Sequence, residues 1–193
     1  MGQEKELISF IKQELSKYLF QHCLAVADTA EKLAQRYELD IEKTRAAALL
    51  HDVAKEKNKE ELMVLISNDF DQIGWQIDET ERQLLPVLHA PAAVPIIINK
   101  LGIKDREILE AVRYHTIGSP DMGKIAQILY LADMIAPGRN FPGIENLREQ
   151  ATYDLNLALI SACDKSLRYN LAHRRIIHPN TLLFRNNLLK GEK

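Results

Sequence analysis

Apolar residues recur at helical spacing along almost the whole of this 193-residue chain. Leu7, Ile8, Ile11, Leu15 and Leu19 keep an i, i+4 rhythm, and Val26, Ala30, Leu33 and Tyr37 make a second stripe. That period fits one face of an amphipathic helix and not a strand. Asp40 is placed to cap a third helix running to about Ala54. Its stretch 46–50 is apolar without a break, which predicts a buried helix. Leu62, Leu65 and Ile66 predict a fourth helix, and others are expected over about 92–100, 105–115, 122–136 and 154–174. Asp105 and Asp121 stand near the starts of two of these, where acidic groups suit the helix dipole.

Strand signals are few. The chain has eight glycines, 6% aromatic residues and no Asn-Gly or Asp-Gly pair to turn a hairpin. Pro86, Pro91, Pro120, Pro137 and Pro142 fall between the expected helices, and the loop APGRNFPG (136–143) is richest in breakers. After Pro179 the chain is expected to end in a short helix or a tail. The expectation is an all-α helical bundle, with residues 1–193 as one domain.

Composition narrows the functions. Lys and Arg number 25 against 27 Asp and Glu, a net charge of −2, where a broad nucleic-acid surface would show a basic excess. Cys23 and Cys163 form no CxxC and no disulfide framework, which fits a reducing compartment. The N-terminus MGQEKELISF lacks the apolar stretch of a signal peptide, and no apolar run approaches a membrane span of about 18 residues. A cytoplasmic protein with neither membrane nor nucleic-acid partner is expected. Leu155, Leu159, Leu167 and Leu171 on the last long helix either close the core or bury a homodimer face.

The polar residues on the apolar faces carry the chemistry. His22 shares the stripe of Val26, His115 that of Ile108 and Val112, and Asp133 that of Leu129. His51 and Asp52 end the most apolar helix, in AALLHDVAKE, and His89 precedes Pro91. One histidine on an apolar face is ordinarily a core side chain with a backbone partner. An ionised carboxylate buried alone is very costly, and Asp133 sits too late in its helix to be an N-cap. Several such residues on different helices call for one shared cation. His22, His51, Asp52, His89, His115 and Asp133 supply nitrogen and hard oxygen without sulfur, a set for iron, manganese, zinc or nickel. Six ligands exceed one tetrahedral ion, whereas two ions about 3.5–4 Å apart with a carboxylate bridge would use them all. Asp52 is the natural bridge, being adjacent to His51 but turned away from it.

The order His22, His51-Asp52, His89, His115, Asp133 resembles that of the HD-domain metal-dependent phosphohydrolases. The strings HDVAKE, HAPAAV, RYHTIGSPDMG and LYLADMIAPGRNFPGI sharpen the match to the YqeK family of bacterial symmetrical diadenosine tetraphosphate hydrolases. The similarity runs from about His22 to HPNTL near 178–182. It implies a metal-site core over about 18–143 and C-terminal helices over about 144–193. It implies one ion on His22, His51, Asp52 and Asp133, and a second on Asp52, His89 and His115. Iron is the metal implied, with manganese or another transition metal as the alternative. The activity implied is central cleavage of the tetraphosphate to two ADP by a metal-bound hydroxide, with Asp52 and Lys55 in catalytic positions. Lys55, about one turn beyond Asp52, and Arg139, in the loop after the Asp133 helix, are expected on the phosphates. Thr116 and Gly118 would offer a hydroxyl and a close-approaching backbone, and Tyr169 and Asn170 a base pocket. Cys23 reads as core packing, and His173 and His178 fall outside the metal set. Related HD sites act on mononucleotides, deoxynucleoside triphosphates or alarmones, and a nucleotide sensor without turnover is a further alternative.

Overall fold

The computed structural model describes residues 2–68 and 74–191. Helices account for nearly all regular structure among them, and no strand occurs. The order is α1 (Gly2–Glu14), α2 (Lys17–Arg36), α3 (Ile41–Leu50), α4 (Lys59–Asn68), α5 (Glu79–Gln83), α6 (His89–Leu101), α7 (Arg106–Tyr114), α8 (Lys124–Ile135), α9 (Ile144–Tyr153), α10 (Leu155–Ala172) and α11 (Pro179–Lys190). The all-α expectation holds.

Local chemistry sets the boundaries. Asp40 caps α3 by accepting from the Lys43 amide at 2.9 Å, and Asp105 caps α7 by accepting from Glu107 and Ile108. Asp121 plays no such part, because α8 starts at Lys124 behind Gly123 without a side-chain cap. The helix expected over 92–100 starts earlier, at His89, with Pro91 inside its first turn. Proline is tolerated there because the first amides have no intrahelical partner. Helix α3 stops at Leu50, short of the expected Ala54, and residues 51–56 form turns. Helix α9 was not expected; Asp154, in extended backbone, ends it and caps α10 by accepting from Leu157.

One apolar core, running from Leu7 to Leu188, unites the helices. Helix α2 packs along α3 and α8, and α7 lies against α3, α6 and α8. These central helices bring their inner faces to a common centre. Helix α10 packs on α8 and carries α11 against it. Leu155 and Leu159 of α10 are buried and close the core, while Leu171 is exposed. Pro179 opens α11 as its first residue, and His178 caps it through Nδ1, which accepts from the Asn180 amide. Phe184 of α11 is buried against Tyr130 and against Gly118.

Candidate metal centre

All six predicted ligands meet in one place. His22 comes from α2, His51 and Asp52 follow the end of α3, His89 opens α6, His115 follows α7, and Asp133 lies near the end of α8. Asp52 is buried and central. Its Oδ1 lies 3.0 Å from His89 Nε2 and 3.5 Å from His115 Nε2. Its Oδ2 lies 3.4 Å from His51 Nε2 and 3.9 Å from His22 Nε2. Asp133 Oδ1 stands 3.0 Å from His22 Nε2 and 4.0 Å from His51 Nε2. The two oxygens of Asp52 thus face two different groups of imidazoles. The early end of α3 creates this arrangement, since turn backbone sends consecutive His and Asp side chains into one cavity.

Three imidazoles are fixed in the same way. The Nδ1–H of His51 donates to the Ala48 carbonyl at 2.7 Å, that of His89 to Pro86 at 2.9 Å and that of His115 to Val112 at 2.8 Å. A carbonyl only accepts, so each Nδ1 carries a proton and each Nε2 faces inward. His89 and His115 Nε2 stand 3.1 Å apart, beside the Asp52 carboxylate. Buried His51 Nε2 and Asp52 Oδ1 make no hydrogen bond. A cluster of acceptors facing one another fits cations, and the donors are the nitrogen and oxygen types that transition metals take. Two sets of ligand atoms close enough to share one ion are His22, His51, Asp133 and His51, Asp52, His115.

The electrostatics divide the imidazoles: burial opposes charge on His51, yet the Asp52 carboxylate holds it above the usual imidazole range, whereas His89 and His115 shift the other way. Burial penalises charge on His89 and pulls it down to about 4. Burial likewise lowers His115, so both rings are neutral near pH 7. Burial opposes the charge of Asp52, but the imidazoles around it, His51 foremost, hold its carboxyl well below the ordinary range. Burial opposes ionisation of Asp133 too, and His22, His51 and Arg139 outweigh it and keep the carboxyl low. Both carboxylates are therefore charged at neutral pH.

Two cations flank the cluster. Lys55 Nζ lies 3.0 Å from His89 Nε2 and 3.5 Å from Asp52 Oδ1, so it reaches the cavity as expected. Arg139 donates through Nε to the Asp133 carbonyl at 2.9 Å and through Nη2 to the Asp133 carboxylate. Thr116 lines a cavity of about 320 Å³ beside the centre, together with His115, Asp133 and Arg139. Gly118 has a positive φ of 71°, and an added Cβ would come within 2.8 Å of the Phe184 ring. The missing side chain thus makes room for α11. Tyr130 and Ser166 also line the cavity, and nothing in their sequence context singled them out. Cys23 is buried as core and touches His51.

A second cluster, Asp78, Glu81 and His178, is already balanced by protein groups. Buried Glu81 pairs with buried Arg113 at 2.6 Å, and His178 Nε2 lies 2.9 Å from Asp78 Oδ2. With Nδ1 of His178 capping α11, this histidine joins α11 to the Asp78 segment.

The family model described as "HD domain" matches residues 19–138, the segment that carries all six candidate ligands. The chain belongs to the HD-domain family. This HD-domain chain is 37% identical to the symmetrical bis(5'-nucleosyl)-tetraphosphatase of Halalkalibacterium halodurans, over 96% of its own length and 97% of that protein. It is 33% identical to the protein of the same name from Bacillus subtilis, over 97% and 98% of the two chains. Its fold matches the crystal structure of a predicted HD superfamily hydrolase involved in NAD metabolism from Clostridium acetobutylicum. The TM-score is 0.91 at 32% identity, covering 97% of both chains. The HD-domain relationship thus extends through α9, α10 and α11, well beyond the segment of the family model.

Proposed function

We propose that this HD-domain enzyme hydrolyses diadenosine tetraphosphate and related dinucleoside polyphosphates symmetrically, giving two nucleoside diphosphates. Its near full-length relatives bear the name of that activity. The observation that carries the reading is Asp52, whose two carboxylate oxygens face separate imidazole groups in a buried pocket. That is the donor arrangement of a dinuclear phosphoryl-transfer site. His22, His51, Asp52 and Asp133 would hold one ion, and Asp52, His89 and His115 the other, with iron as our choice and manganese next. Bound ions would acidify water and offset phosphoryl charge.

The chain's own residues supply the remainder. The Nδ1 locks keep the imidazoles in their working tautomer. Lys55 Nζ, beside His89 and Asp52, offsets charge that builds on a phosphoryl oxygen in the transition state. Arg139, anchored on Asp133, presents its guanidinium at the mouth of the adjoining cavity. Water oxygen bonds to the second phosphorus of one half, and the central bridging oxygen departs with the other half. Both products are then nucleoside diphosphates.

One continuous core supports treating 1–193 as one domain. Among the described residues no helix is long and apolar enough to cross a membrane, and both cysteines are free, which fits our assignment to the cytoplasm. The test is product analysis on anaerobically purified, metal-loaded protein across a nucleotide panel. Two equivalents of ADP from diadenosine tetraphosphate support the reading. AMP plus ATP, release of inorganic phosphate, or turnover confined to mononucleotides would sink it.

A further inference from the structure

One costly feature of the core lies outside the metal centre. Arg113 and Glu81 are only 3% and 2% exposed, and they pair through both guanidinium arms, at 2.6 and 2.7 Å. Taking two charges out of water is expensive, and a well-packed apolar pair often stabilises a core as well. Folding stability therefore does not account for the pair, but its place in the chain does. Arg113 stands in the last turn of α7, just ahead of His115. Glu81 stands in α5, on the segment that leads into His89.

The stretch from Glu81 to His89 is stiff. The Leu84 amide donates to the Glu81 carbonyl at 3.0 Å and the Val87 amide to the Leu84 carbonyl at 2.9 Å. The Pro86 carbonyl then accepts from His89 Nδ1 at 2.9 Å. A hold on Glu81 is thus passed through consecutive turns to the His89 ring.

We infer that Arg113 and Glu81 are positioning residues for the second ion, and that their pairing sets the gap between His89 and His115. The inference rests on the two-ion reading of the site and names what holds one half of it in register. The carbonyl braces fix the direction of each ring within its own segment, not the gap between rings. Packing of α6 on α7 brings the segments together. The two-pronged fork adds a fixed distance and direction between them. The other flank of His115 is tied as well, because the Ile117 carbonyl accepts from the buried Thr181 hydroxyl at 2.9 Å. That threonine lies on α11, whose cap His178 stands 2.9 Å from Asp78, the N-cap of α5. Both sides of His115 are therefore joined, directly or through α11, to the segment that braces His89. The 3.1 Å between the two Nε2 atoms is the product of that closed ring. Ligand distances must be held to within about 0.2 Å, so this gap decides whether an ion stays.

The test compares full-length wild-type protein with the Arg113→Met/Glu81→Leu double variant, which removes both charges together. Mn(II) alone is titrated into metal-free protein and followed by electron paramagnetic resonance. Imidazole nitrogen NMR spectra are recorded before metal is added. The expected result is one of two Mn(II) binding steps weakened about tenfold or more, the scale of losing a partner behind the ligands, with the other step unchanged. In the metal-free spectra the His89 and His115 signals move, while those of His22 and His51 stay. A pair that serves folding alone leaves both steps and all four signals as in the wild type once the double substitution has restored stability, and that result overturns the inference. Equal weakening of both steps with all four signals displaced overturns it too. If the double variant does not fold, Glu81→Gln, which keeps the shape and weakens the pair, is expected to give the same pattern at a severalfold loss. Wild-type protein that takes up a single Mn(II) overturns the two-ion reading instead, and the metal-free spectra still decide whether the pair sets the gap.

Discussion

The Nε2 atoms of His89 and His115 face each other across 3.1 Å, and each ring keeps its proton on Nδ1, where it donates to a backbone carbonyl. Two lone pairs at that distance repel unless a cation lies with them. Stripping metal with a chelator is therefore expected to lower the melting temperature. A metal held at about 100 times its Kd contributes about 2.7 kcal/mol. In a chain of this size that is a shift of about 5–10 °C. Calorimetric scans before and after dialysis against chelator, with re-addition of iron or manganese, measure it.

Replacing Asp52 removes the group that joins both imidazole sets. Asp52→Ala is expected to lose most bound metal together with hydrolysis. Elemental analysis beside activity decides the point, and a full complement of two ions in an inactive variant would rule out bridging.

Lys55 touches the centre without being one of the six candidate ligands. Lys55→Ala is expected to keep the metal and lose about a hundredfold in kcat, the scale of removing one charge-stabilising donor. Lys55→Arg, which restores the charge at the wrong reach, is expected to recover only part of that rate. Metal content and steady-state rates are read on the same preparations.

Arg113 and Glu81 form a buried ion pair at 2.6 Å, with Glu81 also closing the capping box of α5. Arg113→Met leaves the carboxylate buried without its guanidinium, at a cost of about 3–5 kcal/mol. Adding Glu81→Leu is expected to restore much of that stability, though not the part owed to the cap. Urea titrations of the single and double variants measure the difference.

Gly118 combines a left-handed backbone with the Phe184 ring against its α-carbon. Gly118→Ala is expected to cost about 2–3 kcal/mol, from the conformation and from the displaced ring. Near-complete retention of stability, measured by denaturant titration, would refute this packing role.

Much of this architecture could be read from residue spacing. Val26 and Leu129 announce the faces on which His22 and Asp133 lie, because apolar stripes locate the inward side of a helix. Asp40 and Asp105 announced their caps. What escaped was governed by tertiary context. Pro91 marks a helix boundary on propensity alone, yet it sits within the first turn of α6, where its missing amide is harmless. Helix α3 ends before His51 although neither glycine nor proline interrupts the sequence through Ala54, and residues 51–56 form turns instead. Helix α9 buries only Ile144, Leu147 and Ala151, a short stripe, and packing against α2, α8 and α10 fixes it. The pairing of Arg113 with Glu81 joins residues far apart in the chain, which no local pattern reveals.

Each of the three locked histidines borrows its brace from three residues upstream on its own strand of backbone, at Ala48, Pro86 and Val112. Each of these three imidazoles therefore arrives at assembly already aimed, as a prefabricated part that needs no distant neighbour to orient it. Wide divergence of the surrounding surface is compatible with such a centre, since its aim is stored within three short local segments.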